Sequence, residues 1–137
     1  MTNKPVFKGI ATAMITPFKN GKIDFDAFGK FIDFQINEGI DALVVCGTTG
    51  EAATLDDSEH KKAIEFVCEY TSHRVPVIAG TGSNDTAYSI SLSRFACEAG
   101  ADALLCVTPY YNKTTQRGLI RHFETIADAV EKPVILY

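Results

Sequence analysis

The chain has 137 residues, 46% of them hydrophobic and 22% charged. That is enough for one ordinary domain, too little for two, and far from the composition of a disordered segment. Thirteen Lys and Arg against seventeen Asp and Glu give a net charge of -4. With the basic residues scattered and Lys61-Lys62 the one adjacent pair, a nucleic-acid-binding surface is excluded as the natural reading.

Short apolar runs alternate with stretches of helical period. The first run is Gly9 to Thr16. A polar turn follows around Asn20-Gly21, and Asp24 or Asp26 is positioned to cap a helix with Phe28, Phe31, Ile32 and Ile36 on one face. Gly39 stands where a helix stops. Ala42 to Cys46 predicts a second strand, and a helix capped near Asp57-Ser58 carries Ile64, Val67 and Cys68 inward. Val75 to Ala79 predicts a third strand, followed by a helix with Tyr88, Leu92, Phe95 and Ala99 on one side and Gly100 behind it. A fourth strand, Ala103 to Val107, leads to a helix with Leu119, Phe123, Ile126 and Val130 in register. Pro133 to Tyr137 predicts a fifth strand.

Strands that recur at the length of a βα unit, and that are apolar continuously rather than alternately, predict a parallel sheet covered on both faces. The class is α/β. Two architectures fit: an open doubly wound sheet of five strands, or the N-terminal half of a (β/α)8 TIM barrel, with four βα units plus a fifth strand. The whole of residues 1–137 then reads as one partial barrel domain.

No apolar run approaches the roughly 20 residues of a membrane helix, and the N-terminal residues carry no secretory signal pattern. Cys46, Cys68, Cys97 and Cys106 form no Cys-x-x-Cys pair and read as reduced thiols, which points to the cytoplasm. His60, His73 and His122 do not stand at ligand spacing, so no metal or other cofactor is expected.

In either architecture, ligands sit at the carboxyl ends of the strands. After the second strand, Gly47-Thr48-Thr49-Gly50-Glu51 can fold tightly and hold a carboxylate or phosphate on its amides and hydroxyls. A plain strand-to-helix connection is the alternative. Glu51 is an acceptor behind that turn or an acid serving a helix dipole. After the third strand, Gly80-Thr81-Gly82-Ser83-Asn84-Asp85 lacks the last glycine of a dinucleotide fingerprint and reads as a helix start capped by Asn84 or Asp85. After the fourth strand, Thr108-Pro109-Tyr110-Tyr111-Asn112-Lys113 places adjacent phenols on a loop, where a subunit contact or core packing is the bland explanation. Tyr137, ending the fifth strand, can aim its hydroxyl into the same mouth.

These runs, with Val77-Ile78-Ala79 and Ile135-Leu136, resemble in order and spacing the dihydrodipicolinate synthase family. The likeness extends from about Gly9 to Tyr137 and covers the first half of a family member. The broader group is the pyruvate-dependent class I aldolases, which includes N-acetylneuraminate lyase. The Thr48-Thr49 pair and the Pro109-Tyr110-Tyr111-Asn112 run favour the synthase, since sialic-acid lyases typically have a serine in the first motif.

The resemblance implies a TIM barrel that condenses pyruvate with aspartate semialdehyde on the route to lysine, through a Schiff base on a lysine of the sixth strand. It implies that Thr48, Tyr111 and Tyr137 form a hydroxyl relay: Tyr137 the general acid/base, Thr48 the bridge, Tyr111 the link to solvent supplied across a dimer interface. Thr49 would hold the pyruvate carboxylate, and the assembly would be a homotetramer built as a dimer of dimers. The sequence departs from the family in several places. None of its nine lysines is placed as the nucleophile, and Lys113, on the correct side, lies in a polar loop. The arginine that greets the semialdehyde carboxylate is missing, and Thr114 stands where a proline is usual. Where lysine-inhibited members bind their feedback ligand, His60 and Asn84 are kept but Ala52 and Tyr88 replace serine and glutamate, which argues against that feedback. The expectation is that this chain alone is inactive. The competing readings are a lyase-type pyruvate aldolase and a non-catalytic half-barrel module.

Overall fold

A computed structural model describes residues 5–137. The five predicted apolar runs form one parallel sheet: β1 (Ala11–Ala13), β4 (Ala42–Val45), β5 (Val77–Gly80), β6 (Ala103–Cys106) and β7 (Val134–Leu136), laid side by side in that order. Each strand therefore neighbours the next one in sequence among the five. That is the progression of a barrel wall, whereas a doubly wound sheet must reverse its strand order.

Four helices connect these strands, and each begins on a side-chain cap. Asp24 accepts from the Ala27 N–H at 3.0 Å to start α1 (Phe25–Asn37). Asp56, one residue before the predicted Asp57-Ser58, starts α2 (Asp57–Thr71) with Glu59 in a reciprocal capping box. Asp85 starts α3 (Thr86–Glu98), and Thr115 starts α4 (Gln116–Ala127). Gly39 and Gly100, at φ +86° and +97°, stand just past α1 and α3, where a side chain would strain the turn back to the sheet.

The sheet separates two apolar layers. On its helix side, Leu43, Val45, Val77, Ala79, Leu104 and Cys106 pack against Phe28, Ile32, Ile64, Val67, Leu92, Ala96 and Ile126. On the opposite side, Ala42, Val44, Ile78 and Ala103 gather with Ala11, Leu105 and Ile135, and Val6 and Phe7 lie against them. Val44 and Ile78 are thus buried within this chain. Ile10 is 70% exposed and stands outside that group. Strand alternation explains the difference, because its neighbour Ala11 already occupies the inner side.

The first strand is shorter than the Gly9–Thr16 run. Gly9 takes φ +113°, and beyond Ala13 one further bond runs from the Met14 N–H to the Val44 carbonyl at 3.0 Å. Around Asn20-Gly21, a two-residue hairpin pairs β2 (Phe18–Lys19) with β3 (Lys22–Ile23). Both turn residues have positive φ, 53° and 74°, as such a tight connection requires. Among the described residues, no helix is long and apolar enough to cross a membrane.

Candidate active site

Because all five strands of the main sheet run parallel, their carboxyl ends share one rim, and every chemistry-bearing loop of the sequence emerges there. Thr48 and Thr49 follow β4, Gly80 ends β5 and Thr81 to Asp85 follow it, Tyr110 and Tyr111 follow β6, and Tyr137 follows β7.

The Thr48-Thr49 turn is rigid by construction. The Gly50 N–H donates to the Gly47 carbonyl and the Glu51 N–H to the Thr48 carbonyl, both at 3.0 Å. Thr16, buried beyond β1, donates its hydroxyl to the Gly50 carbonyl at 2.7 Å and ties the turn to the neighbouring strand. Cys46 and Glu51 take positive φ, 55° and 56°, on either side of it. Two of the turn's amides are thus consumed in closing it. Those of Thr48 and Thr49 have no partner among the described residues, and both side chains are exposed. An anion at this turn would meet two N–H groups and two hydroxyls. Thr16 carries no motif of its own, and its part in the site was not visible in the sequence.

The glycines at the end of β5 and just beyond it serve packing. A Cβ at Gly80 would collide with the Cys46 carbonyl oxygen, and one at Gly82 with the Val107 amide nitrogen. The two glycines let the ends of β4, β5 and β6 approach one another. Behind them Thr81 is fully buried: the Ser93 hydroxyl donates to its Oγ1 at 2.8 Å and the Ser89 hydroxyl to its carbonyl at 2.9 Å. This polar contact fixes the first turns of α3 against β5. His60 joins α2 to the same place, its Nε2 2.9 Å from the Gly80 carbonyl. Burial holds its pKa below the usual histidine range, so the ring is neutral and donates to that oxygen.

The loop after β6 is built differently. Tyr111 is 96% exposed and has φ +63°. The Asn112 N–H donates to the Tyr110 carbonyl at 2.8 Å across it, and Asn112 Nδ2 donates to the Asn84 carbonyl at 2.9 Å. Tyr88, partly buried below this loop, has its phenol pushed up first by burial and then by the Asp57 carboxylate. Tyr137 extends the ladder: its N–H donates to the Cys106 carbonyl at 2.9 Å, and its own carbonyl accepts from the Thr108 N–H at 2.8 Å. By alternation from Ile135, its side chain lies on the inner face, and it is 65% exposed.

The structure therefore joins the Tyr137 and Tyr111 segments directly, while Thr48 stands three strands away from Tyr137. At about 4.8 Å per strand, a flat sheet would leave about 14 Å between their backbones. Only a sheet that rolls up brings such positions to face one another across a mouth. Among the described residues, the hydroxyls of Thr48, Thr49, Tyr111 and Tyr137 make no hydrogen bond with one another.

Other nucleophiles do not compete for the site. All four cysteines are free, and burial pushes the Cys46 and Cys68 thiols up to about 12, so neither is a thiolate at neutral pH. Lys61 is engaged with Asp57 at 2.8 Å on the helix face. Lys113 lies exposed in the β6–α4 loop, and Lys19 and Lys22 lie exposed in the hairpin that follows β1. Among the described residues no three His, Cys, Asp or Glu side chains gather as a metal would need.

Comparison with known proteins gives this rim a context. The model of the Dihydrodipicolinate synthetase family matches residues 6–137. A 4-hydroxy-tetrahydrodipicolinate synthase of Acetivibrio thermocellus is 56% identical over 134 residues, covering 98% of this chain and 46% of the relative. The crystal structure of dihydrodipicolinate synthase from Aquifex aeolicus superposes with a TM-score of 0.94 at 51% identity, covering 96% of this chain and 45% of that one. A dihydrodipicolinate synthase from Acinetobacter baumannii complexed with pyruvate gives 0.91 at 43% identity, covering 97% and 46%. The chain thus spans about half the length of the relatives it matches.

Proposed function

The chain belongs to the dihydrodipicolinate synthetase family, and from that premise we propose that it supplies the hydroxyl-bearing side of a pyruvate Schiff-base site. In the full-length enzyme that site joins pyruvate to aspartate semialdehyde on the route to lysine, in the cytoplasm and in a homo-oligomer. One observation carries the reading: Thr48, Thr49, Tyr111 and Tyr137, beyond the ends of three different strands, all present hydroxyls at one rim of a parallel sheet. Residues 1–137 are then a partial barrel domain, and β1 and β7 pair with other strands in the closed wall.

The chemistry fits these residue types. A lysine amine adds to the ketone carbon of pyruvate and expels water, and the resulting iminium makes the methyl C–H acidic. Loss of that proton gives an enamine, which attacks the aldehyde carbon. Each step moves a proton, and a line of hydroxyls moves protons without burying a charge. Tyr137, on the inner face, is the acid/base nearest the iminium, with Thr48 as the bridge and Tyr111 as the link to solvent. A tyrosine that is 96% exposed on its own chain has its ring free to reach a neighbouring subunit, which supports its supply across a dimer interface. Thr49 and the two unpaired turn amides hold the pyruvate carboxylate.

The amine is the missing part. Among the described lysines beyond the strand ends, Lys113 in the β6–α4 loop and Lys19 and Lys22 in the hairpin after β1 are exposed, whereas a Schiff-base lysine works from a desolvated site. The isolated chain is therefore inactive. The test is a fusion of this chain to the remaining part of the Acetivibrio thermocellus relative, assayed for condensation of the two substrates. Turnover by the fusion, with none by the chain alone, supports the reading. Cleavage of N-acetylneuraminate instead would favour a lyase-type aldolase, and no turnover of either substrate by a folded fusion would favour a non-catalytic half-barrel.

A further inference from the structure

The segment between β6 and α4 carries the most exposed aromatic residue of the described chain, in a backbone state that does not hold itself. Tyr111 has φ +63° at the centre of a three-residue turn closed by the Asn112 N–H and the Tyr110 carbonyl. This is the rare, strained hand of that turn, and such geometry persists only where its surroundings over-determine it. Nor is a ring with 96% of its surface in solvent held by packing.

What holds it is the start of α3. Asn112 Nδ2 donates to the Asn84 carbonyl at 2.9 Å, and two residues on, the Thr86 hydroxyl lies 2.8 Å from Nδ1 of His122 in α4. Asn84 and Thr86 flank Asp85, whose carboxylate accepts the Ala87 and Tyr88 N–H groups and locks the helix start. One three-residue stretch therefore fastens the Tyr111 turn and the helix that follows it. The far end of the loop is closed by Thr115, which caps α4 through the Gly118 N–H at 3.1 Å.

His122 is an expensive way to pack two helices together. It is 7% exposed, and among the described residues its Nε2 is buried without a partner and Thr86 is its one hydrogen-bonding contact. A leucine there would bury no orphan polar atom. What the imidazole adds is direction: a hydrogen bond fixes the register of α4 against α3 in a way that apolar contact does not.

We propose that Asn84 to Thr86 form a two-point clamp, and that Asn112, Thr86 and His122 are positioning residues that set where Tyr111 presents its hydroxyl. The role assigned to Tyr111 rests on the relay reading above; the clamp itself does not. Thr114, at the position where the family's loop usually has proline, lies within this fastened segment, so the clamp supplies stiffness that the residue itself does not.

The experiment is hydrogen exchange read by mass spectrometry on the 137-residue chain, with trypsin cleavage after Lys113 as a second readout. Asn112→Asp keeps the shape but removes the donor, and Thr86→Val keeps the shape but removes the hydroxyl. Each raises exchange across residues 107–115 by about fivefold, the factor expected for one ordinary hydrogen bond, with faster cleavage after Lys113 and unchanged exchange in β4 and β5. Thr86→Ser restores the original rate. Unchanged loop exchange in Asn112→Asp, or a Thr86→Ser chain that behaves like Thr86→Val, overturns the clamp. Because exchange reads the loop and not the reaction, a fusion in which Tyr111→Phe leaves turnover intact would remove the relay reading while the clamp stands.

Discussion

The two sides of this sheet's architecture are built on opposite principles. Where helices cover the strands, Leu43, Val45, Ala79, Leu104, Ile64 and Ile126 are fully buried and interlock. At the strand ends, Thr48, Thr49, Tyr110, Tyr111 and Tyr137 are exposed, and three of the non-glycine residues with positive φ (Cys46, Glu51 and Tyr111) occur there. The first region spends its residues on burial. The second holds polar groups in fixed places by a few directed bonds, from Thr16, Ser93, Asn112 and His60, that reach across strands and helices. Stability and function are thus separable in this chain, and substitutions distinguish them.

The largest effect belongs to the packed side. Leu104→Ala removes most of a fully buried side chain and is expected to cost about 2–5 kcal/mol, read by urea denaturation. Gly80→Ala forces a methyl group into the Cys46 carbonyl and should cost about 1–3 kcal/mol while displacing the Thr48-Thr49 turn. Thr16→Val, which keeps its shape and leaves the buried Gly50 carbonyl without its donor, should cost about 1–3 kcal/mol. On the rim the pattern inverts. Thr48→Val and Tyr137→Phe should change stability by less than about 0.5 kcal/mol, while in the active fusion they lower turnover by about 10²–10⁴-fold. A rim variant that unfolds the chain, or a core variant that leaves stability alone, breaks the division.

The smallest effect is in pH. Burial lowers the pKa of both His60 and His122 in the folded chain. The unfolded chain therefore binds protons that the folded one refuses, and stability falls as pH drops below about 6.5, the ordinary histidine value. Thermal melts between pH 8 and 5 should record a decline that His60→Gln lessens, because a glutamine amide can still donate to the Gly80 carbonyl without titrating.

Sequence patterning was sufficient for the wall and for part of its capping, while the α2 cap is Asp56 rather than Asp57-Ser58 and the α4 cap, Thr115, carried no signal. Continuous apolar runs such as Ala42 to Cys46 and Ala103 to Val107 could only be two-faced strands, and Asp24 and Asp85 cap as their positions required. The choice between a barrel wall and a reversing sheet was not available from period, because strand order is a tertiary fact. At the rim, residue types identified the loops, but the bonds that shape them are long-range. Thr16 meets Gly50 across 34 positions and Asn112 meets Asn84 across 28. The run after the third strand reads as a helix start capped by Asn84 or Asp85; Asp85 is that cap, and close approach of three strand ends is the further reason for Gly80 and Gly82.

The central claim is that this chain carries the proton-moving side of a Schiff-base site and not its amine. Borohydride reduction in the presence of pyruvate, read by intact mass on the 137-residue chain, tests it directly. The account predicts no added mass. A stoichiometric pyruvate adduct mapped to Lys113 would contradict it, because a rim lysine of this chain would then be the nucleophile.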